Sequence, residues 1–283
     1  MRVSSAAIRA GLAGLAGALV APKAEAQVFG GPKSGGIGFL PTVTQNGDDI
    51  VWMHNWILLP ATIGISLLVL GLIIYIVYRF NETANPTPSR RTHNGLLEFA
   101  WTVAPALVLV VIAVPSFRLL ADQLIIPTPD LTLKVTASQW HWNYGYPKSE
   151  GGFSFDSLYV EDKDLKPGQP RLITADHEMV VPIDKVIEVD VTSQDVIHSF
   201  SVPSFGIKID AIPGRLNKTW FKADQIGMFY GQCSNICGID HAFMPINVRV
   251  VSQSDYEAWL LEAKKQFASS DRVDLAAAPL VNP

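Results

Sequence analysis

Cys233, Cys237, His241 and Met244 follow one another at spacings of four, four and three residues, inside the stretch Gly-Gln-Cys-Ser-Asn-Ile-Cys-Gly-Ile-Asp-His-Ala-Phe-Met-Pro at 231–245, and the two cysteines are the only ones in the chain. Two thiolates, an imidazole and a thioether form a soft donor set, which selects copper over hard cations. A single copper needs only one thiolate beside two imidazoles and a weak axial thioether. A second thiolate lets both sulfurs bridge two coppers, provided each metal finds its own imidazole. The second imidazole must come from elsewhere, and His198, in the strand-like run Asp-Val-Ile-His-Ser-Phe at 195–200, is the best candidate. Two plainer readings compete: a disulfide in an exported chain and a Cys2His2 zinc site. Met244 and the position of His198 favour copper over both.

Such donors need a rigid frame. Beyond Pro127 the chain breaks into short runs rich in Val, Ile, Thr and aromatics, at 131–137, 186–192, 197–202, 208–212, 219–222, 228–231 and 246–251, separated by Pro, Gly or Asn. The first two alternate with period two. Many short strands with turn signals predict an antiparallel sandwich or barrel over 128–252. The metal loop then joins two strands at one end, where Gly231, Gln232 and Gly238 allow close backbone approach. Ser254 and Glu257 form a capping box that opens a helix to about Phe267 within the C-terminal segment 253–283.

The frame is tied to a membrane. The chain of 283 residues is 48% hydrophobic and only 17% charged, which suits an anchored protein with one globular domain. A basic start, a small apolar run at 10–21 and the A-x-A site Ala24-Glu25-Ala26 predict a signal peptide at 1–26. An external Gly- and Pro-rich segment follows at 27–49. No Asp, Glu, Lys or Arg occurs from 50 to 78, so the first transmembrane helix is expected at 50–79. The loop at 80–94 carries Arg79, Arg90 and Arg91 at and within its borders, which puts it on the cytoplasmic side. A second helix at 95–118, with Pro105 as a kink site, returns the chain outward. Glu98 lies about one turn beyond Asn94, a good N-cap. There it complements the helix dipole, or marks an ion or proton route at membrane depth. The net charge of −4 offers no reason to expect a nucleic-acid partner.

The loop Cys-x3-Cys-x3-His-x2-Met, preceded by Val-Ile-His-Ser-Phe, closely resembles the binuclear copper (CuA) site of subunit II of cytochrome c oxidase, and the likeness continues over most of the chain. The resemblance implies a two-helix transmembrane hairpin plus an all-β cupredoxin-like Greek-key barrel on the periplasmic side of a bacterial inner membrane. It implies that Cys233 and Cys237 bridge both coppers, that His198 and His241 bind one each, and that Met244 and the backbone carbonyl of Asn235 complete the set. Relatives carry glutamate at position 235 and use it for magnesium shared with subunit I; the neutral, shorter Asn235 leaves only the carbonyl role in place. In Gln-Trp-His-Trp-Asn-Tyr at 139–144, core packing is the plain reading; the resemblance makes Trp140 the ring through which electrons enter from cytochrome c. Glu98 matches the glutamate at the mouth of a proton-uptake channel, and Asp156, Asp176 and Asp195 match acidic docking positions, although Gly145 replaces a common glutamate. Residues 119–283 hold 21 acidic and 14 basic side chains, and an acidic face attracts a basic carrier. The segment 210–215 resembles a loop lying against subunit I. Haem groups and CuB belong to subunit I, with subunit III a further partner beside the membrane lipid. The related quinol oxidase subunit lacks the copper ligands, nitrous oxide reductase is soluble and larger, and a copper chaperone needs neither Trp140 nor two spans.

Overall fold

A computed structural model describes residues 30–33 and 35–267. The expected signal peptide at 1–26 and the tail 268–283 lie outside the described residues. Among the described residues two long apolar helices come first, α1 at Gln45–Arg79 and α2 at Gly95–Leu124, and no residue of their most apolar stretches is buried by the chain itself. α1 contains a π-helical turn at His54–Leu58. Both helices outrun their expected bounds. α1 starts at Gln45 rather than 50 because Thr44 caps it: Thr44 Oγ1 accepts from Gly47 N at 3.0 Å and donates to Phe205 O at 2.8 Å. Asp48 then complements the first turn. α2 ends at Leu124 rather than 118, and the Asp122 carbonyl near its end accepts from Trp220 Nε1 at 3.3 Å. Charge-free length measures the bilayer-spanning part, whereas these ends are set by docking on the β domain. α2 also runs on unbroken through Pro105 and Pro115.

Ten strands follow among the described residues: β1 Leu131–Ser138, β2 His141–Gly145, β3 Ser154–Ser157, β4 Met179–Pro182, β5 Ile187–Ser193, β6 His198–Val202, β7 Ile207–Ala211, β8 Asn217–Phe221, β9 Gly227–Gln232 and β10 Pro245–Val251. They form sheets in the orders β3-β2-β1-β5-β8, β4-β10-β9 and β6-β7. The domain is cupredoxin-like and not wholly antiparallel, since β1 pairs with β5 and β4 with β10 in parallel. Along β1 the period of two sends Leu131, Leu133, Val135 and Ala137 into the core, where Val189, Val191, Phe200, Val202, Phe229, Ile246 and Val248 meet them. Each large side chain buried this way contributes about 1.5–3 kcal/mol.

Three strands were not apparent from the sequence. β2 lies in the aromatic run, where Trp142 and Tyr144 are wholly buried between β1 and β3. β3 and β4 are each only four residues long, too short for a period to show. The C-terminal helix α3, Gln253–Phe267, starts two residues before the expected box would place it. Ser252 is its cap, its Oγ accepting from Asp255 N at 3.1 Å and donating to Asp255 Oδ2 at 2.7 Å.

Candidate metal centre

The donor residues gather at one pole of the β domain. His198 opens β6, and the loop between β9 and β10 carries the rest. Sequence distance is overcome by backbone contacts. Ser234 N donates to Ser199 O at 3.0 Å and Cys233 N to Met244 O at 3.1 Å. Gly231, two residues before Cys233, lies so close to β6 that a Cβ there would sit 2.1 Å from Ser201 O. Only glycine lets β9 deliver the loop at this depth.

His198 Nδ1, Cys233 Sγ and Cys237 Sγ lie within 4.8 Å of one another, and all three residues are buried. The sulfurs are free and 3.8 Å apart, against about 2.05 Å for a disulfide, so no disulfide joins them in this structure. That separation suits two thiolates sharing metal at about 2.3 Å each. Each sulfur has one imidazole. Cys233 Sγ is 4.0 Å from His198 Nδ1, and Cys237 Sγ is 3.4 Å from His241 Nδ1. The Asn235 carbonyl points inward, 3.3 Å from Cys233 Sγ, and the Met244 side chain is fully buried beside them.

The electrostatics prepare one thiolate first. Burial pushes the Cys233 thiol up, but hydrogen bonds from His198, from the backbone at Asn235 and Ser199, and from Cys237 outweigh it and bring it to about 6. Burial, and then the negative charge of Cys233, push Cys237 the other way. A metal held by Cys237 would reverse the second shift, because a coordinating thiol is deprotonated outright.

Asp195 is placed differently from the docking role expected of it. Its Oδ1 lies 2.9 Å from His198 Nε2 and accepts from Val196 N at 2.6 Å, while Oδ2 accepts from Gln139 N at 2.6 Å. A carboxylate on Nε2 fixes the imidazole tautomer and leaves the Nδ1 lone pair for metal. The spacing Asp-x-x-His was the signal that could have disclosed it. Trp140 is half-buried, its inner edge against Gly238, and Gln139 Nε2 donates to Cys237 O at 2.7 Å. Trp142 packs edge-on against His198, ring centroids 6.2 Å apart. Asp156 accepts from Asn143 Nδ2 at 2.8 Å and Asp176 from Leu158 N at 2.7 Å, both with exposed carboxylates. Glu98 stands far along the chain in the first turn of α2, its Oε1 accepting from Asn94 N at 3.1 Å, while the Asn94 side chain caps Leu97 N.

Two membrane-type helices, a cupredoxin-like domain and a paired cysteine–histidine cluster that could hold a metal ion describe a membrane-anchored protein with a candidate metal centre. Residues 131–251 match the family model for the cytochrome c oxidase subunit II periplasmic domain, and 32–119 that for its transmembrane domain. The probable cytochrome c oxidase subunit 2 of Rickettsia bellii is 44% identical over 241 residues, 85% of this chain and 89% of that protein. Cytochrome c oxidase subunit 2 of Cereibacter sphaeroides is 44% identical over 272 residues, with 89% of both chains covered. The periplasmic domain of subunit II of the Bradyrhizobium japonicum oxidase shares 59% identity over 50% of this chain and 99% of its own, with a TM-score of 0.48. The chain belongs to the cytochrome c oxidase subunit II family, a copper-binding component of haem-copper oxidases.

Proposed function

We propose that this chain takes electrons one at a time from reduced cytochrome c and delivers them to haem in subunit I, where oxygen is reduced to water with proton translocation. The observation that carries the reading is the pairing of each free cysteine with its own histidine around a 3.8 Å sulfur–sulfur separation. Cys233 and Cys237 would bridge a copper pair, with His198 and His241 as terminal ligands and Met244 and the Asn235 carbonyl as the weaker ones. When bound, that copper pair supplies one-electron redox chemistry. Zinc would accept the same two sulfurs and two imidazoles; the buried thioether of Met244 and the family favour copper.

The remaining roles follow from position. Trp140 offers one face to solvent for a docked donor and its inner edge to the metal loop. Asp195 holds His198, and the exposed Asp156 and Asp176 are left to attract a basic carrier. The burial of His198, Cys233, Cys237 and Met244 on a rigid β frame would keep these donors fixed between oxidation states. The apolar α1 and α2 face lipid and subunits I and III, with the loop 80–94 cytoplasmic and the β domain periplasmic. Glu98 closes the α2 cap and stands where protons could be taken up toward subunit I. Asn235, neutral, offers no carboxylate to magnesium.

Copper quantitation and electron paramagnetic resonance on the purified full chain test the reading. Two coppers per chain sharing one unpaired electron are expected. One copper with an isolated-ion spectrum, or a Cys233–Cys237 disulfide that excludes metal after reduction and reconstitution, would overturn it.

A further inference from the structure

Trp140 reaches the metal loop without a hydrogen bond of its own. Its Nε1 is buried and has no partner among the described residues, so the orientation of the indole depends on what surrounds it. Two neighbours decide it. Gly238, at φ +134°, leaves vacant the space that a side chain would fill: a Cβ there would lie 2.9 Å from Trp140 Cζ2 and 3.2 Å from Trp140 Nε1. Gln139 spans the same gap from the other side, its Nε2 donating to the Cys237 carbonyl at 2.7 Å. Its own backbone N–H is tied to Asp195 Oδ2 at 2.6 Å. The segment 139–140 is therefore pinned at one end to the carboxylate that holds His198, and at the other to the peptide that follows Cys237.

We propose that Gln139 and Gly238 are positioning residues that hold the Trp140 indole against the Cys237–Gly238 peptide, making a short contact between the half-buried ring and a cysteine that would hold the metal. The inference rests on the reading of Trp140 as the ring through which electrons enter. In that step a ferrous donor loses one electron, the centre held by Cys233 and Cys237 gains it, and no covalent bond is made or broken. What the two residues supply is distance and orientation. Gly238 does so by lacking a Cβ, and Gln139 by an amide donor that a hydrophobic side chain of equal length does not have. Gln139 is itself exposed, so its volume is not needed by the core, and the hydrogen bond to Cys237 is the contact a substitution would remove.

The assembled oxidase is the object of the test, with Gln139→Met, Gly238→Ala and Trp140→Phe compared. One-electron injection from photo-reduced, ruthenium-labelled cytochrome c gives the intracomplex rate, a salt titration gives the affinity of the docked pair, and the paramagnetic spectrum reports the copper ligands. For Gln139→Met and Gly238→Ala we expect injection to slow on the order of tenfold, since small misplacements of reacting groups carry penalties of this size or larger. Docking affinity and copper spectrum should stay unchanged. If Gly238→Ala loses copper, Gln139→Met decides alone. Slow injection in Trp140→Phe with normal injection in the other two would overturn this inference and leave the reading of Trp140 standing. Normal injection in Trp140→Phe would overturn both. Weaker docking with an unchanged intracomplex rate would make Gln139 a docking residue instead, and would equally overturn the proposal.

Discussion

Asp195 shows how one carboxylate can be assigned to two functions until its oxygens are located. As a surface acid it would steer a partner, but its oxygens accept from Val196 N and Gln139 N, with His198 Nε2 2.9 Å away. Burial pulls its pKa up, and the hydrogen bonds from His198 and the two backbone amides outweigh this and hold it low. Asp195→Asn keeps the shape and removes the charge. Copper affinity should fall about 10- to 100-fold, the usual loss when an outer partner of a ligating histidine is removed, and competition with a copper chelator measures it. An affinity equal to that of the unaltered chain would return Asp195 to the surface role. At the same scale, Cys233→Ser and Cys237→Ser should each abolish the shared-electron copper signal, because neither serine oxygen supplies a soft bridging donor.

Among the elements, β9 and its glycine do most to place the site. With the Ser201 carbonyl in the space a Cβ would take, Gly231→Ala forces β9 away from β6, and overpacking of this kind costs about 1–3 kcal/mol. Thermal unfolding should show the loss, and copper uptake should fall with it because His198 opens β6 and Cys233 directly follows β9, the two strands that part. The C-terminal helix offers a cleaner comparison. Ser252→Ala removes the observed cap at a cost of about 1 kcal/mol, while Ser254→Ala, at the position the sequence favoured, should leave the melting temperature nearly unchanged. Equal effects of the two would mean that the helix starts later than Gln253. Val43 N on Ser204 O and Asp224 N on Val43 O, together with the Thr44 cap, join α1 to the β domain, so the helical anchor and the metal-bearing domain are not loosely tethered.

On the scale of the molecule, charge is divided along the chain: residues 119–283 carry 21 acids against 14 bases, and residues 1–118 carry 5 against 8. The excess of acids lies in the part that holds the β domain, where a basic carrier would dock. Steering of this kind is screened within about 8–10 Å at ordinary ionic strength. The second-order rate with cytochrome c should thus fall steeply with salt while the rate inside the complex stays constant. Asp156→Asn combined with Asp176→Asn should flatten that dependence. A salt response identical to the unaltered chain would place the docking charge elsewhere on the domain.

The sequence by itself determined what depends on near neighbours along the chain. The spacing of Cys233, Cys237, His241 and Met244 sets one turn of ligand loop, and two charge-free stretches are long enough to cross a bilayer. Alternation in β1 and β5 declares strands whose sides face a core. All of these are properties of a few consecutive residues, and so they survive without knowledge of the fold. Tertiary structure decided what depends on residues far apart in sequence. His198 meets Cys233 only because Gly231 lets β9 close on β6. Trp140 meets Gly238 only because β2 folds back beside the loop, and the helix ends are fixed by Phe205 and Trp220 rather than by hydrophobicity. β3 and β4 exist because longer strands offer them backbone partners. A hydrogen-bonding group takes the best partner that packing brings within reach, and for Asp195 packing brought a histidine before it brought solvent.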